Sequence, residues 1–194
     1  RNDVDSVIVC LPNKYHLENC AAALKGRKHV LCEKPLARTP EEAREMVMIA
    51  KQSGTFLKVG SNLRYFPNIL KARELIDENA IGDLLFLRGW IGHPGASKLG
   101  TWFLDRDTAG GGTFLDNGCH ILDLMRWFLG EVTECMGFVA TEHLSITSLE
   151  DVGLGIFKTE NGKLAFVQSS WFEWADYMYM EIYGSEGFIR IDNR

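Results

Sequence analysis

The first sixty residues alternate in a way that leaves few folds open. Val4 to Leu11 (VDSVIVCL) is a short run rich in β-branched residues, the pattern of a strand buried on both faces. It stops at Pro12-Asn13, and Asn13 stands where an N-cap would open a helix from about Lys14 to Lys25, ended by Gly26. His29 to Cys32 reads as a second strand. Thr39-Pro40-Glu41-Glu42 is a capping box with proline at the first helical position, opening a helix that runs to about Gln52 and stops near Gly54. Thr55 to Gly60 is a third strand. This order and spacing predict a parallel sheet with right-handed crossovers.

The character then changes. An amphipathic helix follows Pro67 to about Asn79, closed near Gly82, and Leu84 to Ile91 is a long strand. Thr113 to Leu129 reads as a helix, followed by strands at Val132 to Thr141, Val152 to Lys158, Lys163 to Trp171 and Tyr177 to Tyr183. Asn161-Gly162 is a hairpin signal. The expected class is α/β: a partial Rossmann-type parallel sheet over residues 1–64, then an α+β unit over 65–194 on a largely antiparallel open sheet. Leu84, Phe86, Phe138, Leu154, Ile156, Phe166, Trp171 and Tyr179 exceed what one helical layer covers. One sheet face is therefore expected on helices and the other on a second subunit, in a homo-oligomer (dimer or tetramer).

Composition excludes several function classes. The 194 residues carry a net charge of -5 with no basic cluster, which argues against a nucleic-acid partner. No apolar run approaches the ~18 residues that span a bilayer, so no membrane segment is expected. Cys10, Cys20, Cys32, Cys119 and Cys135 are odd in number, scattered and form no CxxC pair. That pattern suits a reducing cytoplasm and small buried hydrophobes rather than a zinc site.

In open α/β sheets ligands bind at the carboxyl ends of the strands. Three such ends carry polar residues here: Pro12-Asn13, Glu33-Lys34-Pro35 and Ser61-Asn62. Asn13 and Asn62 also fit plain capping and turn roles. Lys34 leaves a strand beside Glu33 and is held by the restriction Pro35 imposes on its predecessor, which suits proton transfer. A second constellation is Gly110-Gly111-Gly112-Thr113-Phe114-Leu115-Asp116-Asn117-Gly118-Cys119-His120. On a helix Asp116, His120, Asp123 and Trp127 form one stripe at i, i+4, i+7 and i+11, opposite Ile121, Leu124, Met125, Phe128 and Leu129. Such a stripe faces either a substrate or an internal hydrogen-bonded network. A metal site lacks a third ligand. Trp90, Trp102, Trp171 and Trp174 fit either a sugar pocket or the core. His16 fits either a phosphate contact or an ordinary surface position.

The runs VDSVIVCLPNKYH, HVLCEKPLA, VGSNLRYFP, GGGTFLDNGCHILDL and IYGSEGFIRID, in this order, resemble the glucose–fructose oxidoreductase/inositol dehydrogenase/rhizopine catabolism family over about residues 4–192. The resemblance implies an NAD(P)-dependent dehydrogenase acting on a secondary alcohol of a sugar, nucleotide sugar or cyclitol, with NAD or NADP as cofactor. It implies catalytic roles for Lys34, Asp116 and His120, with His120 the general acid/base, and a cis Lys34–Pro35 bond. Pro12, Asn13, His16, Glu33, Lys34, Pro35, Asn62, Arg64 and Trp102 would touch the dinucleotide. The family's GxGxxG fingerprint lies before the first strand read here, and family members continue past Arg194. The expectation is a core fragment that binds NAD or NADP poorly by itself, with the choice between the two unread. A non-catalytic dinucleotide-binding regulator on the same fold is the rival; the retention of Lys34, Asp116 and His120 together favours the enzyme.

Overall fold

The computed structural model describes residues 2–142 and 148–192 and contains two sheets, each with its own core. The first is parallel, in the order β1 (Ser6–Val9), β2 (His29–Cys32), β3 (Leu57–Val59), with Val7 opposite Val30 and Val30 opposite Leu57. The connections are α1 (His16–Lys25) and α2 (Pro40–Ser53), which pack on each other and on one sheet face. Val9, Val30 and Cys32 meet Cys20, Leu24, Met46, Ile49 and Ala50 there. Right-handed crossovers in the order 1-2-3 put both helices on the same side. The other face is open, with Ile8 66% and Leu31 38% exposed. The expectation of a strand buried on both faces is corrected accordingly.

Local signals act as read at α2, where the Thr39 hydroxyl accepts from Glu42 N–H at 3.2 Å and Gly54 ends the helix in the left-handed region at φ 67°. They act differently at α1. A 3-10 turn over Asn13–Tyr15 precedes it and Asn13 makes no capping bond. Its carboxamide reaches across the molecule instead, donating to the Ala109 carbonyl at 2.8 Å.

The second sheet has six strands in the order β5 (Val132–Ala140), β6 (Val152–Thr159), β7 (Leu164–Ser170), β4 (Leu84–Pro94), β8 (Phe172–Gly184), β9 (Phe188–Asp192). Only the β4–β7 pair is parallel. The Asn161-Gly162 turn joins β6 to β7 with Gly162 at φ 74°. The strand β9 is absent from the element reading above, and β8 begins five residues earlier than read. The helices α3 (Pro67–Asp77) and α5 (Cys119–Leu129) flank the sheet core. There Ile69, Ile121, Leu124 and Met125 meet Leu87, Val167, Met180 and Ile182. A short helix, α4 (Arg106–Ala109), lies between β4 and α5.

The opposite sheet face carries exposed apolar groups. Phe138 is 84%, Met136 69%, Ile156 50% and Leu154 41% exposed. Phe138 sits opposite Leu154 and Met136 opposite Ile156, so the four form one block. Trp171 and Leu84 do not belong to it: Trp171 is fully buried and Leu84 packs on the helical core, beyond a register shift between Leu84 and Phe86.

Candidate active site

The three strand-end loops share one edge of the parallel sheet, because parallel strands all deliver their carboxyl ends there. Beneath them lies His16, fully buried on the first turn of α1. Its Nε2 lies 2.7 Å from the Leu11 carbonyl oxygen and its Nδ1 3.0 Å from that of Pro35. The ring therefore ties the end of β1 to the turn after β2. It is not a surface histidine: both ring nitrogens lie within hydrogen-bond distance of backbone carbonyl oxygens.

Lys34 follows β2, and the Lys34–Pro35 bond is cis. Its side chain is 22% exposed and crosses to the second sheet's helical lead-in, where Nζ donates to Asp116 Oδ1 and to the Asp116 carbonyl, each at 2.8 Å. Glu33 is exposed and accepts from Lys34 N–H at 3.2 Å. Asn62, in a 3-10 turn after β3, is exposed on the same edge.

The stripe drawn for a regular α-helix needs correction, because Phe114–Gly118 wind as a π turn and α5 begins at Cys119. Two anchors explain the extra residue. Thr113 and Ser169 hydroxyls bond at 2.8 Å, both buried, and the Phe114 ring fills the notch over Gly153, where a Cβ would stand 2.5 Å from it. The apolar face of α5 fixes the helix farther on, so the segment between absorbs the mismatch. A π turn loosens the regular ladder and often sits at functional sites. Here the Asp116 carbonyl accepts from Lys34 and from the Cys119 thiol. The glycine-rich lead-in allows close backbone packing: a Cβ on Gly112 would lie 1.9 Å from the Glu150 carbonyl oxygen.

Asp116 is buried between two lysines. Lys98, at the end of a 3-10 turn over Gly95–Lys98, forms an ion pair with Asp116, Nζ lying 2.9 Å from Oδ2. Burial would raise the Asp116 carboxyl, yet the Lys34 and Lys98 charges outweigh it and hold the group below its ordinary range. His120 is driven the other way from most histidines that face carboxylates. Burial first, and the Lys34 charge second, push it down to about 4 against the opposing pull of Asp116 and Asp123. At neutral pH His120 is therefore an uncharged base.

The rest of the stripe serves structure. Asp123 takes the Arg64 guanidinium in two bonds, Nε to Oδ2 at 2.7 Å and Nη2 to Oδ1 at 2.6 Å, and Arg64 lies 5.5 Å over the Trp127 ring. Arg64, expected on the dinucleotide, holds Asp123 in this structure. Trp102 stacks on Phe103 at 3.9 Å, Trp90 stacks on Tyr179 at 4.4 Å, and Trp174 is fully exposed. The four tryptophans do not share one pocket. Pro12 is half-buried and Pro35 buried.

A hollow of about 520 Å³ is walled by Ile91, His93, Lys98, Asn117, Asp176 and Tyr177, among others. Asn117 is 9% exposed, and its Nδ2 has no hydrogen-bond partner among the described residues. Lys98 and Asn117 are the site residues that sequence reading misses. Lys98 stands in an aperiodic loop, and the Asn117-Gly118 pair looks like turn chemistry.

Comparison with known proteins matches both parts of the chain to known families. Residues 1–61 match the family described as "Oxidoreductase family, NAD-binding Rossmann fold", and residues 69–190 match the "GFO/IDH/MocA C-terminal domain". The chain is 33% identical over 188 residues to the 1,5-anhydro-D-fructose reductase of Ensifer adhaerens, covering 96% of this chain and 56% of that protein. It is 32% identical over 198 residues to the 2,7-anhydro-N-acetylneuraminate hydratase of Escherichia coli (strain K12), covering 97% and 52%. Among solved structures, a levoglucosan dehydrogenase in complex with NADH superposes with a TM-score of 0.93 at 28% identity, over 99% of this chain and 55% of that one. The chain thus spans about half the length of these relatives. Both of its sheets and the matches over 1–61 and 69–190 assign it to one family: the chain belongs to the Gfo/Idh/MocA oxidoreductases.

Proposed function

We propose that the protein carrying this chain oxidises a secondary alcohol of a sugar, nucleotide sugar or cyclitol, or reduces the corresponding ketone, with NAD or NADP as hydride partner. The observation that carries this reading is the double link between Lys34 and Asp116, next to a neutral His120. An unspent group supports the substrate class: Asn117 Nδ2 is a buried donor without a hydrogen-bond partner among the described residues, on a residue that walls the hollow. A polyol hydroxyl accepts from such a donor as an apolar group would not.

The chain also fits a nicotinamide ribose. Its strand ends form an open polar edge, and the Lys34 ammonium has a third N–H beyond the two given to Asp116. Lys34, Glu33 and Asn62 would line that side. The dinucleotide, when bound, supplies the hydride acceptor. The chain supplies placement and proton traffic. Asp116, fixed by Lys34, orients the carbinol hydroxyl. His120 takes the hydroxyl proton as the C–H bonding pair leaves as hydride, and returns it in the reverse direction.

The test is nicotinamide absorbance with levoglucosan, myo-inositol and 1,5-anhydro-D-fructose, each with both dinucleotides. Because one relative is named a hydratase, products are also followed by chromatography. Dinucleotide binding without turnover of any polyol would favour the regulatory reading instead.

We further propose a division at residues 64/65 between the dinucleotide and substrate units, supported by the separate cores. Association of a dimer or tetramer through the open sheet face is supported by its exposed apolar block. A cytoplasmic setting is supported by five free cysteines. Among the described residues no helix is long and apolar enough to cross a membrane.

A further inference from the structure

The hollow, at about 520 Å³, falls within the usual range of small-molecule pockets, about 300–1,000 Å³. Two of its walls come from strands, Ile91 to His93 on β4 and Asp176 to Met178 on β8. A third is the turn that carries Ser97 and Lys98. The fourth is Asn117, one residue past Asp116 and inside the π turn. Its backbone is fixed on both sides. Ahead of it the Lys34 ammonium holds the Asp116 carbonyl at 2.8 Å. Behind it Gly118 lies so near the Phe114 ring that a Cβ would stand 3.2 Å away. The side chain is not fixed in the same way. Asn117 is only 9% exposed, yet nothing among the described residues takes its Nδ2. Folded proteins seldom leave a buried donor unpaired, because its lost hydration is then not repaid.

We propose that Asn117 is a specificity-determining residue: its amide donates to a hydroxyl of the polyol held in the hollow, other than the hydroxyl that is oxidised. This deepens the alcohol-oxidation reading above and rests on it. The last torsion of an asparagine side chain is broad, so a carboxamide whose donor end nothing holds turns readily to meet a ligand at the wall. The charges of the hollow favour a hydroxyl over a carboxylate as the partner. Lys98 is paired with Asp116 and covered by the Phe103 ring, 3.5 Å from its centroid. Asp176 is exposed and makes no ion pair among the described residues. An acidic sugar would find the lysine taken and a free carboxylate in the wall. Leucine has nearly the shape of asparagine without its donors and acceptor, so Asn117→Leu removes the bond without opening a large cavity.

The experiment is a cycle of ligand and protein variants on the full-length protein, run with NAD and with NADP present. Myo-inositol and the singly deoxygenated inositols are titrated by NMR against the unmutated, Asn117→Leu and Asn117→Ala proteins, and kcat and KM are measured for those that turn over. In the unmutated protein one particular deoxygenation should cost about tenfold in affinity, the worth of one hydrogen bond. Both variants should bind myo-inositol about tenfold more weakly and lose the discrimination at that position alone, while kcat stays within about threefold. Variants that still discriminate at every position overturn the proposal, since an amide bonded to a resident water or kept for structure predicts that result. Tighter binding of D-glucuronate than of D-glucose also overturns it, by assigning the amide to a carboxylate. If the unmutated protein binds inositols but oxidises none, the oxidation reading fails by itself, and the Asn117 assignment is judged on the affinity cycle. A protein that binds no inositol, levoglucosan or D-glucose overturns the assignment.

Discussion

Lys34 and Asp116, 82 residues apart, are joined twice: one ammonium donates to the Asp116 carbonyl and to its Oδ1, each at 2.8 Å. The link bridges the two sheets and lies where a π turn has disturbed the helical ladder. Bonding to a main-chain carbonyl as well as a carboxylate fixes the ammonium in direction, which a lone ion pair does not.

If Lys34 and His120 handle protons and orientation, Lys34→Ala and His120→Ala should lower kcat by about 10²–10⁴-fold, the usual worth of a general acid–base group. Dinucleotide affinity should change little in His120→Ala, and in Lys34→Ala it should fall far less than turnover does. Stopped-flow turnover together with fluorescence titration of the dinucleotide separates the two effects. Equal losses of affinity with an unchanged rate at saturation would reduce both residues to binding roles.

His120 also makes stability depend on pH. Its native value of about 4 lies below the ordinary 6.5, so between these the unfolded chain takes up a proton that the folded chain does not. Stability contributed by the neutral ring is whole above pH 6.5 and lost as pH falls toward 4, by on the order of 3 kcal/mol at most. Asp116, also depressed, loses its contribution only below its ordinary 3.8. Urea unfolding at pH 7 and pH 4.5 should therefore show a smaller drop in His120→Gln than in the unmutated protein. An identical drop would contradict the buried neutral imidazole.

Much of this was legible in the chain, and the exceptions have physical causes. Periodicity and caps located β2, α2 and the hairpin at Asn161-Gly162, since those signals are local. The pairing of Lys34 with Asp116 could be foreseen only as convergence on a cleft, from a strand end and a helical stripe. The fates of Asn13, His16 and Arg64 could not be read, because each depends on a distant backbone or carboxylate partner: Ala109, Pro35 and Asp123. Lys98 gave no signal because its meaning comes from Phe103, Trp171 and Asp116 meeting in space.

The lead-in to α5 offers a test of packing. A methyl on Gly112 would fall 1.9 Å from the Glu150 carbonyl oxygen, and Gly112 N–H also donates to Glu150 Oε1 at 2.8 Å. Backbone cannot yield as a side chain can, so Gly112→Ala should cost about 3 kcal/mol. Gly26→Ala, whose nearest contacts would be 3.3 Å, should stay within about 1 kcal/mol. Chemical unfolding of both variants checks the difference; comparable losses would mean that the Glu150 loop moves freely.

The last prediction concerns the sheet face away from the helices. Phe138, Met136, Ile156 and Leu154 lie in register on β5 and β6 and are 84%, 69%, 50% and 41% exposed. Single exposed apolar residues are ordinary, but a contiguous block on a flat sheet usually marks an interface. A stable association would bury on the order of 1,600 Å² in total. Phe138→Asp should then shift the protein to a smaller species in light scattering coupled to gel filtration. A side chain so exposed contributes little to the fold of one subunit, so a dilute, dissociated sample should melt as the unmutated one does. Ile156→Lys, across the register from Met136, should act in the same direction. An unmutated protein that is monomeric at every concentration would show that this face has no partner of its own kind.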